Sequence, residues 1–182
     1  MTKALIVIDV QESFRQRDSW QRVSTPDIVD RANQLVDIAR GQGDLVVWVL
    51  HSEPGTGTPF DTESGFVRLI DGLKPEAGEP VLTKTSRNSF TTTNLQQILT
   101  EKGIRELVIC GIQTEQCCET TARVAADLGY DVTFVTEATA TFPIPHRSGE
   151  GELGVADIIE RTEYALSGRF ATISTIAELA VG

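Results

Sequence analysis

The sequence predicts an α/β protein, a three-layer α/β/α domain built on a mostly parallel sheet of about six strands. Two observations carry this. Six short apolar runs are rich in β-branched residues and almost continuously hydrophobic, as strands buried on both faces must be. Helical patterns lie between them, so strand and helix alternate along the chain.

The first run, ALIVIDV at 4–10, is the opening strand. PDIVDRANQLVDIARGQG at 26–43 follows as a helix: Pro26 stands near its start, Ile28, Val29, Ala32, Leu35, Val36 and Ile38 recur at helical spacing, and glycine closes it. LVVWVL at 45–50 and PVLTK at 80–84 are the next strands. Then come a helix at 94–103, a strand at 107–112, a helix at 114–129, a strand at 132–138, a helix at 156–168 and a last strand at 170–174. No repeat, low-complexity segment or linker interrupts this order, so residues 1–182 read as a single domain. The irregular stretches 11–25, 52–66 and 139–155 are long for a compact α/β domain, and such loops often build a site.

Charge narrows the partners. With 16 Lys and Arg against 26 Asp and Glu, the net charge is −10, which repels nucleic acid and anionic membrane surfaces. A small-molecule partner is expected instead. Asp9 cuts the N-terminal apolar run too short for a secretory signal, and no run approaches a membrane span, so a cytoplasmic location is expected. The chain holds three cysteines, an odd number that suggests no disulfide framework.

Two motifs are set aside. GEGELG at 149–154 matches G-x-G-x-x-G in letter, but it follows PIPHRS rather than a strand and carries two glutamates that would repel a pyrophosphate. PGTGTPF at 54–60 lacks the lysine of a phosphate loop. No cofactor is expected. His51 and His146 are the only histidines, and Cys117 and Cys118 project about 100° apart on a helix, a poor geometry for one ion.

Those cysteines are the strongest signal. CGIQTEQCCETTARVAADLG runs from a strand through a sharp turn into a helix, the arrangement of a nucleophile elbow. Thr114 could cap that helix, and the free N–H groups at its start favour a thiolate and could hold an oxyanion. Helical spacing leaves the choice between Cys117 and Cys118 open, and buried packing residues are the plain alternative. Asp9, His51, Lys84 and the 111–117 turn all fall at the carboxyl ends of predicted strands, where open α/β sheets gather ligands.

Three blocks resemble the isochorismatase-like cysteine hydrolases, the superfamily of nicotinamidases and N-carbamoylsarcosine amidohydrolase: ALIVIDVQESF (4–14), KTSRNSFTTTNL (84–95) and GIQTEQCCETTARVAADLGYDVTFVTEA (111–138). They stand in the family's order. The resemblance implies an isochorismatase-like fold of Rossmann-like topology and a catalytic triad of Asp9, Lys84 and Cys117. The frame from Gly111 and Thr114 selects Cys117 over Cys118. It also implies a cis peptide between Ile112 and Gln113, with the N–H groups of Gln113 and Cys117 as an oxyanion hole, and an assembly of two or four copies. Phe14, His51 and Phe90 are expected at the substrate pocket, with Trp20 and Phe60 nearby. The family's metal-binding histidines have no counterpart after His51, so no metal is expected, which weakens nicotinamidase in particular. Members that cleave a vinyl ether lack the cysteine, so Cys117 points to C–N hydrolysis of a small amide or ureide. Ether hydrolysis and redox sensing through Cys117 and Cys118 are the alternatives. Glu137 stands where the family has Asp.

Overall fold

The computed structural model describes residues 3–181 of the 182. Its six-stranded sheet is formed by β1 (Lys3–Ile8), β2 (Leu45–His51), β3 (Val81–Lys84), β4 (Glu106–Ile112), β5 (Asp131–Ala140) and β8 (Thr172–Ile173). Their order is β3-β2-β1-β4-β5-β8, and every pair is parallel. A short antiparallel hairpin, β6 (Ile144–Pro145) with β7 (Glu152–Leu153), stands apart from it.

Alternate side chains of each strand feed two separate cores. One face buries Ala4, Ile6, Ile8, Val47 and Val49 against Leu95 and Leu99 of α3 (Leu95–Glu101), Ala122 and Ala125 of α4 (Glu119–Asp127) and Leu166 of α5 (Val155–Leu166). The other buries Leu5, Val7, Val46 and Trp48 against Ile28, Ala32, Leu35 and Val36 of α2 (Ile28–Gln42). Each such Leu or Ile contributes roughly 1.5–3 kcal/mol when fully buried. That is why these strands carry no polar alternation.

Helix ends follow local chemistry. Helix α2 stops where Gly43 takes a left-handed conformation, φ 73°, and donates to the carbonyls of Ala39 and Arg40. Besides the β6–β7 hairpin, two α-helices were not expected from the sequence. One is α1 (Glu12–Arg15) followed by a 3-10 turn over Asp18–Arg22. The other is α6 (Ile176–Ala180), whose start is a capping box between Thr175 and Glu178.

Gly111 is demanded by the sheet itself. It lies in β4 opposite Ile8 with φ 132°, and a Cβ there would sit 1.9 Å from the Ile8 carbonyl oxygen. Gly111→Ala should therefore destabilise the fold by at least about 3 kcal/mol, combining backbone strain with overpacking. Thermal unfolding should show a loss of roughly 6–12 °C for a chain of this size. A loss of a degree or two would mean that β1 and β4 separate easily.

Candidate active site

Three strand ends and one turn converge at the carboxyl edge of the sheet. Asp9 follows β1 directly and turns the chain with φ 53°, and its N–H donates to the Val49 carbonyl of β2. Gln11, two residues on, locks this corner: its side-chain amide accepts from the His51 N–H at 2.7 Å and donates to the His51 carbonyl at 2.9 Å. The Gln of the opening block is thus a clamp between strands. Lys84 ends β3 beside His51 in register.

Lys84 and Asp9 are both fully buried. The Lys84 Nζ donates to Asp9 Oδ2 at 2.8 Å and to Cys117 Sγ at 3.4 Å, and lies 3.4 Å from His51 Nδ1. Asp9 Oδ1 is buried with no hydrogen-bond partner among the described residues. Burial raises the Asp9 pKa above its usual 3.8, with the Lys84 ammonium opposing. The Cys117 thiol is pushed up to about 12 by burial and then by the charge of Asp9, with Lys84 opposing. Burial thus works against the thiolate that a place near a helix start favours.

The Ile112–Gln113 peptide is cis, as the resemblance implies, but the turn that follows it differs from expectation. Residues Thr114–Cys118 form one π-helical turn, closed by the Cys118 N–H on the Gln113 carbonyl at 3.1 Å, before α4 begins at Glu119. Thr114 does not cap this turn; its hydroxyl is 2.7 Å from that of Thr139 on β5. The Gln113 N–H donates to no acceptor among the described residues, which leaves it available beside Cys117. Cys118 is fully buried in the core shared with α3 and α4.

The cleft is lined by Asp9, Phe14, Arg17, His51, Glu53, Phe60, Arg87, Gln113, Gln116 and Cys117, around a cavity of about 100 Å³. This is below the size of sites for drug-sized ligands. A larger hollow of about 430 Å³ near Tyr130 and Phe170 holds no cysteine, lysine or histidine. Phe14 and His51 line the cleft as expected, and Phe60 joins them. Phe90 does not: Asn88 Oδ1 accepts from the Phe90 N–H in a local turn, and the ring stacks on Tyr130 at 5.9 Å within the core. Trp20 packs on Phe142 instead. Arg17, Glu53, Arg87 and Gln116 were not singled out from sequence, although each sits in or beside a segment already marked for the site.

His51 is boxed by charge. Its Nε2 is 2.9 Å from Arg87 Nη1 and 3.3 Å from Glu53 Oε1. Burial and then Lys84 hold its pKa below the ordinary 6.5, Arg87 acts in the same sense, and Asp9 and Glu53 oppose. The folded ring stays neutral where an unfolded histidine takes a proton. Below 6.5 the unfolded chain then binds more protons, so stability falls as pH falls from there through the folded pKa. His51→Asn should flatten this part of the curve, by at most about 1.4 kcal/mol per pH unit. Urea denaturation at several pH values between about 7.5 and 5 reads the two slopes; equal slopes would mean His51 protonates freely in the fold.

Among the described residues no group of three or more His, Cys, Asp and Glu side chains is placed to hold a metal ion. No helix among them is long and apolar enough to cross a membrane. Glu137, in place of the family's Asp, accepts from the Ile176 N–H at the start of α6.

Residues 3–150 match the isochorismatase domain model. The chain belongs to the isochorismatase family. It is 35% identical over 167 residues to streptothricin hydrolase of Streptomyces noursei, covering 90% of this chain and 65% of that protein, so it spans just under two thirds of that relative's length. It is 34% identical over 151 residues to nicotinamidase 3 of Arabidopsis thaliana, covering 76% of this chain and 73% of the relative. A solved cysteine hydrolase from Pseudomonas syringae pv. phaseolicola superposes with a TM-score of 0.90 at 25% identity, over 99% of this chain and 91% of that one. The protein is accordingly an isochorismatase-family hydrolase with the α/β fold of its relatives.

Proposed function

We propose that this hydrolase cleaves the C–N bond of a small amide or ureide through a thioester on Cys117. One observation supports it most: a single buried ammonium, Lys84, bonds both the carboxylate of Asp9 and the sulfur of Cys117 at the floor of the cleft. Relatives named nicotinamidase and ureidoacrylate amidohydrolase, the latter from Klebsiella pneumoniae at 28% identity, agree with the C–N assignment.

The chemistry follows from proton bookkeeping. Asp9, with its pKa raised and Oδ1 free, takes the thiol proton as the sulfur attacks the carbonyl carbon. Lys84 keeps the charge of the pair balanced while the proton moves. The N–H groups of Gln113 and Cys117 receive the oxyanion. Asp9 then protonates the leaving nitrogen, the C–N bond breaks, and ammonia or an amine departs. Water, losing a proton to Asp9, attacks the thioester; the C–S bond breaks and sulfur recovers the proton. Redox sensing by the cysteine pair fits less well, because Cys118 is fully buried and burial pushes its thiol well above the usual value.

The test is ammonia release from a panel of small primary amides and N-carbamoyl compounds, with intact-mass measurement of the quenched enzyme. Turnover with an acyl mass on wild type that Cys117→Ala lacks is expected. Ammonia release with no dependence on that thiol would reject the thioester route.

A further inference from the structure

Two guanidinium groups line the same small cleft as the nucleophile, although the chain as a whole is strongly acidic. Their situations differ. Arg87 is already engaged, with Nη1 at 3.5 Å from Glu53 Oε1 and 2.9 Å from the His51 ring. Arg17 is not: its guanidinium makes no hydrogen bond or ion pair among the described residues. It is held instead over aromatic rings, 4.4 Å from the centroid of Phe60 and 5.6 Å from that of Phe14. Phe14 and Phe60, both buried, meet edge to face at 4.9 Å beneath Arg17.

The charges around the cleft do not cancel. Deep in the site, the charge of Lys84 is met by Asp9. At the mouth, one carboxylate, Glu53, faces two guanidiniums. Partial burial holds the Arg17 pKa below its usual range; Glu53 opposes this and the repulsion of Arg87 adds to it. Arg17 is thus a cation on the exposed side, stacked over rings, with no anion bonded to it, at the rim of a cavity too small for a large ligand.

Resting on the amidohydrolase reading, we infer that the substrate carries a carboxylate a few bonds from its scissile carbonyl, and that Arg17 receives this carboxylate with Arg87 beside it. A guanidinium fork matches a carboxylate in two parallel hydrogen bonds, which gives orientation as well as affinity. The local positive potential also draws an anion toward a protein whose remaining surface repels it. With the carboxylate held at the mouth, the acyl carbon is directed to Cys117 at the floor. Arg17 is thus a specificity-determining residue that touches substrate away from the reacting atoms.

The experiment compares succinamate with pentanamide, a neutral amide of similar length, and N-carbamoylglycine with N-propylurea. Wild type should favour each anion in kcat/KM by about tenfold or more, the worth of a charge-assisted hydrogen bond. In Arg17→Met this preference should fall at least about tenfold, with Arg17→Lys intermediate. Because the ratio is taken within one variant, a loss of folded enzyme cancels from it. A ratio near one in wild type, or one that Arg17→Met leaves alone, overturns the inference while leaving the amidohydrolase reading intact. If wild type releases ammonia from none of the four, turnover gives no ratio, and calorimetry on Cys117→Ala decides this inference separately from the amidohydrolase reading. Tighter binding of succinamate than pentanamide, lost on adding Arg17→Met, supports it; equal or undetectable binding overturns it.

Discussion

Cys117→Ala should lose turnover by on the order of 10⁴-fold or more, down to the residual rate that positioning and oxyanion contacts supply. On the proposed thioester route, removing the sulfur takes away the atom that forms the covalent bond, so no neighbouring group can compensate. The adjacent thiol offers no rescue, because Cys118 lies wholly within the core packed against α3 and α4. Cys118→Ala is the matching control: it should cost about 1 kcal/mol of stability, as the loss of one buried core atom does, and keep kcat within a few-fold. Ligand binding should survive in Cys117→Ala, since the cleft walls are other residues. Steady-state kinetics on both variants, with denaturation curves, checks this. Comparable activity loss in both would mean that the helix start, rather than the sulfur of Cys117, was damaged.

Much of the candidate site was legible because its residues lie at strand ends. Asp9, Lys84 and Cys117 each follow a hydrophobic run closely, and a parallel sheet sets the carboxyl ends of all its strands along one edge whatever their separation in sequence. What failed depended on contacts that no local pattern records. Phe90 turns inward because Tyr130, 40 residues away, offers it a ring to stack on. Thr114 looked like a cap, but its hydroxyl meets Thr139 of β5, and the turn closes one residue wider than an α-helix. The first strand stops at Ile8, not Val10, because Asp9 leaves extended conformation at φ 53°. Arg17 and Arg87 went unmarked because an exposed-looking arginine in a loop has no periodicity to betray it; only the fold sets both beside Glu53. The helix α6 is the opposite case. Its Thr175–Glu178 capping box was present to be read, and a five-residue helix is simply too short to show a hydrophobic period.

Lys84→Met should lower kcat/KM by on the order of 10³-fold, within the range general-base catalysis supplies, and should reshape stability with pH. Lys84 and Asp9 are both fully buried, and the ammonium is the first-ranking opponent of the burial that raises the Asp9 pKa. Without it, Asp9 in a dry site is left to choose between a proton and an unpaired charge. Breaking a buried pair this way costs about 3–5 kcal/mol when the remaining group stays ionised. Protonation avoids that cost, so the Asp9 pKa climbs further. The folded variant then holds a proton that the unfolded chain releases above the ordinary value of 3.8. The unfolded state binds fewer protons, and stability falls as pH rises from about 4 through the folded pKa, opposite in sense to the effect of His51. Lys84→Met should thus approach wild-type stability at acid pH and fall behind it toward neutrality. A protonated Asp9 cannot take the thiol proton, which links the two losses to one titration. Activity should recover partly on the alkaline side, over the same pH interval in which the stability deficit levels off. Denaturation midpoints and kcat/KM measured on one pH series read both curves. A stability deficit constant with pH would show Asp9 keeping its charge unpaired, and the activity loss would then belong to Lys84's contact with Cys117 at 3.4 Å instead.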